Sequence, residues 1–216
     1  MKRKIVTTSD GSTSIEIEEW GETYHSIHGA IQEARHVYIE RGFDRIEKTT
    51  VKVLEMGFGT GLNAFLTLVE ARRKGKIVEY HSIEAFPVTE QESVALDFSA
   101  LYDRDGDDIL FKQMHQCTWD VSHEVTAEFT LHKIHSTFEE AVVNQSYFDV
   151  FGYQFQPDLW SVEIFQKVYD ALGDTGVIAT YACRGPIKRA MKAVGFVIEK
   201  VPGPPGKREM LVGYKG

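Results

Sequence analysis

The chain is poor in cysteine. It has two among its 216 residues, Cys117 and Cys183, 66 positions apart and without a CxxC pair. That spacing excludes a zinc ribbon and a disulfide framework. Proline is also scarce, at 6 residues, and no stretch forms a proline- or serine-rich linker, a low-complexity tract or an internal repeat. There is no apolar run of the 18 or so residues needed to span a bilayer. The basic start Met1-Lys2-Arg3-Lys4 leads into Ile5-Val6-Thr7-Thr8-Ser9-Asp10, which is no signal-peptide core. The expectation is a reduced, cytoplasmic protein that contacts no membrane. The eight histidines (His25, His28, His36, His81, His115, His123, His132 and His135) lack metal-ligand spacing, so no metal is expected and they read as surface or packing residues.

Enough apolar sequence is present for a real core, at 43% hydrophobic and 12% aromatic. Charged residues make up 26% and the net charge is −8, a balance that by itself disfavours a nucleic-acid ligand. The distribution qualifies this. Residues 184–216 carry eight basic side chains (Arg184, Lys188, Arg189, Lys192, Lys200, Lys207, Arg208 and Lys215) against Glu199 and Glu209, and residues 2–4 are all basic. An acidic body with a basic C-terminal segment fits a phosphate-binding patch on an otherwise anionic protein.

From residue 51 apolar runs alternate with helical patterns. Expected strands are Val51–Leu54, Ile77–Ile83, Phe129–Ile134, Tyr147–Phe151 and Val177–Tyr181. Expected helices are Leu62–Lys74, stopping at Gly75; one opened by the capping-box pattern Thr89–Glu92; Thr137–Val143; Ser161–Leu172; and one begun by Gly185-Pro186. Residues 102–126 give no clear pattern. Phe196–Val201 and Met210–Tyr214 flank Pro202-Gly203-Pro204-Pro205-Gly206 and suit an antiparallel pair. This alternation implies an α/β fold with a mostly parallel sheet and helices on both faces. In residues 1–50, Ile27, Ala30, Ile31, Ala34, Val37 and Tyr38 recur at helical spacing. The domain expectation is an extension over 1–50 packed on one compact unit, 51–216.

The sharpest local signal is Glu55-Met56-Gly57-Phe58-Gly59-Thr60-Gly61-Leu62-Asn63, between a strand and a helix. Glycines let the backbone turn tightly and approach a ligand closely. A dinucleotide fingerprint wants a glycine where Leu62 stands. Glu-x-Gly-x-Gly-x-Gly is instead the S-adenosylmethionine (SAM) pattern. Glu84 ends the next strand, 23 residues past the loop, where a carboxylate can accept both hydroxyls of an adenosine ribose. Asp149 ends the expected strand after Phe148 and falls at the carboxyl edge of the sheet, where open α/β sheets bind ligands. Phe151, Tyr153 and Trp160 follow in an aromatic stretch suited either to stacking on a base or to ordinary packing. A carboxylate beside an amine can aim its lone pair and help remove its proton. Cys183 follows a strand but is not needed as a nucleophile.

These residues resemble the methyltransferase module of MnmC-type tRNA modification enzymes, including the stand-alone MnmD form. The likeness runs from Asp10-Gly11-Ser12-Thr13 and Glu22-Thr23-Tyr24-His25-Ser26, through the glycine loop, Glu84-Ala85-Phe86-Pro87 and Phe148-Asp149-x-Phe151, to Gly206-Lys207-Arg208-Glu209-Met210-Leu211. It implies a class I SAM-methyltransferase, Rossmann-like fold with a seven-stranded sheet and a C-terminal antiparallel hairpin. It implies methylation of 5-aminomethyl(-2-thio)uridine at the tRNA wobble position, in the anticodon stem-loop. Asp149 would then be catalytic. Glu55, Gly57, Gly59, Thr60, Gly61, Asn63, Glu84, Tyr24, Ser26, Glu33 and Thr137 would bind the cofactor. Phe151, Tyr153, Trp160, Arg184, Lys188, Lys207 and Arg208 would meet the substrate. The chain departs from the family at Tyr153, often proline, and at Ser136-Thr137, often Gly-Asp. The larger family members add an FAD-dependent oxidase module with its own glycine loop. None is expected here, so a separate enzyme would supply the aminomethyl group. The alternatives are SAM-dependent methylation of a small amine or another RNA, and a non-catalytic SAM-binding protein.

Overall fold

The computed structural model describes residues 2–140, 157–173 and 175–216. Among the described residues β4 (Thr50–Met56) stands at one end of a four-stranded sheet and pairs in parallel with β5 (Ile77–Glu84). β5 pairs in parallel with β7 (Phe129–His135), which takes β6 (Ser122–Thr126) antiparallel on its far edge. A second group, β8 (Val177–Thr180), β10 (Glu209–Lys215) and β9 (Phe196–Pro202), is antiparallel in that order. The β9–β10 pair is the hairpin expected around the Pro/Gly loop.

Among the described residues two strand pairings are parallel and three in these two groups are antiparallel. A mostly parallel seven-stranded sheet is therefore corrected to a four-stranded mixed sheet and a separate three-stranded antiparallel one. One strand that sequence periodicity missed is β6, which lies in the unclear stretch 102–126. Its strand character comes from hairpin pairing to β7 across the Ala127-Glu128 turn, with a register shift between Glu124 and Thr126. The same stretch holds α4 (Asp107–Gln116). The expected strand Tyr147–Phe151 lies outside the described residues, as do residues 141–143 of the expected helix Thr137–Val143; its first four residues, 137–140, are coil and turn rather than helix.

Helix ends follow local chemistry. α2 (Leu62–Lys74) ends at Gly75, whose φ of 63° is the left-handed cap that glycine adopts without strain. α3 (Glu90–Val94) has both halves of its capping box: Thr89 Oγ1 accepts from the Glu92 N–H and Glu92 Oε2 accepts from the Thr89 N–H. α5 (Val162–Ala171) is capped by Ser161, and α6 (Gly185–Ala193) carries proline in its first turn.

Alternation along β4 sends Val51 and Val53 to one face and Leu54 and Met56 to the other. The first face builds the larger core with Phe65, Leu66 and Val69 of α2 and reaches Ala179 and Val212 in the second sheet. On the other face Met56 joins Phe165, Met191 and Leu211 under α5 and α6.

Residues 1–50 contain more sheet than their helical spacing implies. β1 (Arg3–Thr7), β2 (Thr13–Ile17) and β3 (Glu22–Thr23) form an antiparallel meander. α1 (Ala30–Ala34) runs on into a π-helical turn, Arg35–Glu40. Ala30, Ala34, Val37 and Tyr38 are buried as their spacing predicts, but Ile27 precedes the helix and is 58% exposed. Arg3 fastens this meander to the core, donating to Phe86 O (2.7 Å) and Pro87 O (3.1 Å) and pairing with Glu92 (3.2 Å).

Phe65 is fully buried with edge-on contacts to Tyr102 and Phe111. Phe65→Ala should lower stability to urea by about 3–5 kcal/mol, the usual cost of emptying an aromatic site. A loss below about 1 kcal/mol would show that this core is not packed as described.

Candidate active site

The glycine loop leaves β4 at its carboxyl end and enters α2, with the Gly57 N–H bonded to Ile83 O at 2.8 Å. Gly59 and Gly61 have φ of 49° and 72°, the region open to glycine. Space is a second constraint. A Cβ on Gly59 would lie 3.0 Å from the Tyr24 ring, and one on Gly61 2.9 Å from His115 Nε2. Glu84, at the end of β5, holds the loop from the other side. Its Oε2 accepts the Gly59 N–H at 3.0 Å and its Oε1 accepts the Phe86 N–H at 2.7 Å. A carboxylate has about four acceptor positions. Two are occupied by backbone, which leaves acceptor capacity at the cavity wall for a pair of vicinal hydroxyls.

Glu55 sits behind the loop rather than in the cavity. It is 1% exposed and its Oε2 accepts the Ser82 hydroxyl at 2.7 Å. Gly61 is likewise behind the wall, whereas Gly57, Gly59, Thr60 and Asn63 line it.

Two histidines, His25 buried and His115 half-buried, clasp Thr60. His25 Nε2 lies 2.6 Å from Thr60 Oγ1, and His115 Nε2 donates to Thr60 O at 3.1 Å. Burial pushes both imidazoles down to about 4, so both are neutral at ordinary pH. Behind them Lys133, 1% exposed, donates to His115 O at 2.8 Å and lies over the Trp119 ring at 4.7 Å and the Phe58 ring at 5.3 Å. Burial holds its ammonium below the usual lysine range. The sequence marks His25 and His115 only as surface or packing residues and gives no sign of Lys133. Nothing in their spacing marks them, because their partners are 35, 55 and 18 residues away.

The N-terminal segment forms the roof. Tyr24 covers Gly59, and its hydroxyl is pushed up to about 12, first by burial and then by Glu84 and Glu92, against the opposing effect of Arg3. The Ser26 N–H donates to Glu33 Oε2 at 2.7 Å, and Glu33 Oε1 pairs with Lys207 Nζ at 2.5 Å. The cavity, about 1400 Å³, is bounded by this roof, the glycine loop, Glu84, Thr137, Tyr181, Arg184 and Arg208. A single small ligand commonly fills about 300–1,000 Å³, so a cofactor and a second group both have room.

The remaining expected site residues are dispersed. Trp160 is 2% exposed and packs on Tyr181 and Phe165 in the second core, away from the cavity wall. Lys188 lies on α6 outside the cavity lining. Asp149, Phe151 and Tyr153 lie outside the described residues. Cys183 is on the wall, but burial raises its thiol above the usual range, which favours the unreactive protonated form. Among the described residues no group of His, Cys, Asp and Glu is arranged to hold a metal, and no helix is long and apolar enough to cross a membrane.

Residues 109–216 match the family described as S-adenosyl-L-methionine-dependent methyltransferase. The chain belongs to that family. It is 30% identical over 213 residues to the tRNA 5-methylaminomethyl-2-thiouridine biosynthesis bifunctional protein MnmC of Burkholderia thailandensis, covering 90% of this chain and 32% of that protein. To the MnmC of Burkholderia multivorans it is 29% identical over 215 residues, with the same coverage. The chain thus spans about a third of the length of these relatives. The crystal structure of MNMC2 from Aquifex aeolicus superposes with a TM-score of 0.80 at 20% identity, covering 98% of this chain and 70% of that one. The fold is therefore that of a class I SAM methyltransferase. The donor set fits the cofactor: a glycine loop open to close approach, a carboxylate with acceptor capacity, and an aromatic roof.

Gly59→Ala drives a Cβ into Tyr24, and calorimetry should show SAM affinity reduced at least tenfold; unchanged affinity would remove the loop from the site. The histidines predict a pH dependence. Unfolded imidazoles protonate near 6.5 and the folded ones near 4, so stability is full above about pH 6.5 and falls as pH drops toward 4. The loss reaches roughly 3 kcal/mol per histidine. His25→Gln should flatten the fall in melting temperature between pH 7 and 4.5; an unaltered slope would contradict the burial of His25.

Proposed function

We propose that the protein transfers a methyl group from SAM to the amine of 5-aminomethyl(-2-thio)uridine at the tRNA wobble position, giving 5-methylaminomethyl(-2-thio)uridine. The observation that carries this reading is the shared cavity wall: the Glu84-held glycine loop on one side and Arg184 and Arg208 on the other. The MnmC relatives, matched across 90% of this chain, are named for tRNA 5-methylaminomethyl-2-thiouridine biosynthesis, which supports the same substrate.

Bound SAM supplies an electrophilic methyl on a sulfonium. The chain's own residues hold and prepare the partners. Glu84 would take the ribose hydroxyls, the glycine loop would receive the cofactor, and Thr137 would offer a hydroxyl to the adenine amine in place of the family's aspartate. Asp149 accepts a hydrogen bond from the substrate amine, aims its lone pair, and favours the cationic product once nitrogen has four substituents. Phe151 and Tyr153 stack on the base. Arg184, Lys188 and Arg208 neutralise backbone phosphates, so binding weakens with salt. The reaction belongs to the cytoplasm.

Asp149→Ala should cut methyl incorporation into aminomethyl-bearing tRNA by about 10²–10⁴-fold, the usual range for a lost acid–base group, and leave SAM affinity unchanged. Wild-type protein that binds SAM yet methylates no such tRNA would overturn the substrate.

A further inference from the structure

Lys207 stands out once the contacts are mapped. Its place in the basic C-terminal segment marks it as a phosphate ligand, but its ammonium faces inward. Nζ lies 2.5 Å from Glu33 Oε1 and 3.8 Å from the centre of the Tyr181 ring. The Glu33 side chain is only 9% exposed, and its second oxygen holds the Ser26 N–H at 2.7 Å. A phosphate brought to Lys207 would meet the Glu33 carboxylate, a like charge in a poorly solvated place. Arg208, next along the chain, is exposed and carries no such burden.

The loop that bears Lys207 is fastened to the N-terminal segment at two further points. His36 Nε2 donates to Pro202 O at 2.8 Å, and Gly206 lies directly against the His28 ring. From Glu33 the contacts continue inward through Ser26 to His25, which touches Thr60, and to Tyr24, which covers Gly59. Two segments 174 residues apart thus meet at this ion pair and at the two contacts beside it.

We infer that Lys207 is a positioning residue for methyl transfer: paired with Glu33 against Tyr181, it pins the segment Tyr24–Glu33 over the glycine loop and sets cofactor affinity, not tRNA affinity. The inference deepens the proposed function but rests only on its SAM-dependent part.

The test compares Lys207→Ala, Lys207→Arg and Arg208→Ala with wild type in SAM calorimetry, in tRNA binding across a salt series, and in steady-state kinetics. Lys207→Ala should weaken SAM binding at least tenfold and raise KM for SAM more than it lowers kcat. Its salt slope for tRNA should match wild type. Lys207→Arg should restore most of the SAM affinity, because a guanidinium also pairs with a carboxylate. Arg208→Ala should show the reverse pattern, with normal SAM affinity and a salt slope lowered by about one. The inference is overturned if Lys207→Ala binds SAM within twofold of wild type, or if it lowers the salt slope as Arg208→Ala does. Should Lys207→Ala fail to fold, the exchanged pair Glu33→Lys/Lys207→Glu decides. SAM affinity closer to wild type than in Glu33→Lys supports the pairing, and no recovery refutes it. Wild type that binds SAM without methylating tRNA would sink the substrate reading and leave this one standing.

Discussion

The site depends on the bond between the Glu84 carboxylate and the Gly59 N–H. It ties the end of β5 to the loop that follows β4, two parallel neighbours whose carboxyl ends open on the same cavity. The carboxylate does this while also holding the Phe86 N–H, so the turn after β5 and the glycine loop share one anchor. That turn is in turn gripped by Arg3 of β1. A single side chain thus sets the distance between the loop and the N-terminal meander, and its remaining acceptor capacity is where the proposed ribose contact falls.

Around this anchor the protein buries polar groups in neutral or paired form. His25 and His115 stay uncharged on either side of Thr60, Lys133 finds a carbonyl and two aromatic faces, and Glu33 finds Lys207. Arg72 meets Asp107 at 2.7 Å, where α2 packs on α4, with both side chains nearly inaccessible. A buried ion pair is no simple gain in stability, but breaking one leaves a charge without its partner. Such contacts act here as geometric fasteners between segments remote in sequence.

How much was legible in the sequence follows from how local each signal is. The glycine loop, the bounds of α2, the Thr89 capping box and the β9–β10 hairpin are encoded within a few residues, and they lie where the pattern places them. β6 and the β1–β3 meander escaped because pairing partners, rather than apolar alternation, make them strands. Ile27 fits a helical stripe by spacing yet lies outside the helix. Charge counting along a chain cannot show that Lys207 pairs with a carboxylate 174 positions away. Trp160 has the composition of a stacking platform but serves the core under α5.

The most direct measurement is a two-by-two calorimetric comparison of wild type and Glu84→Gln, each titrated with S-adenosylhomocysteine and with its 2′,3′-dideoxy analogue. If Glu84 serves both the glycine loop and the ribose, loss of the hydroxyls should cost wild type about tenfold in affinity and cost Glu84→Gln almost nothing. Equal losses in both proteins would show that the hydroxyls are held elsewhere and that the carboxylate serves the loop alone.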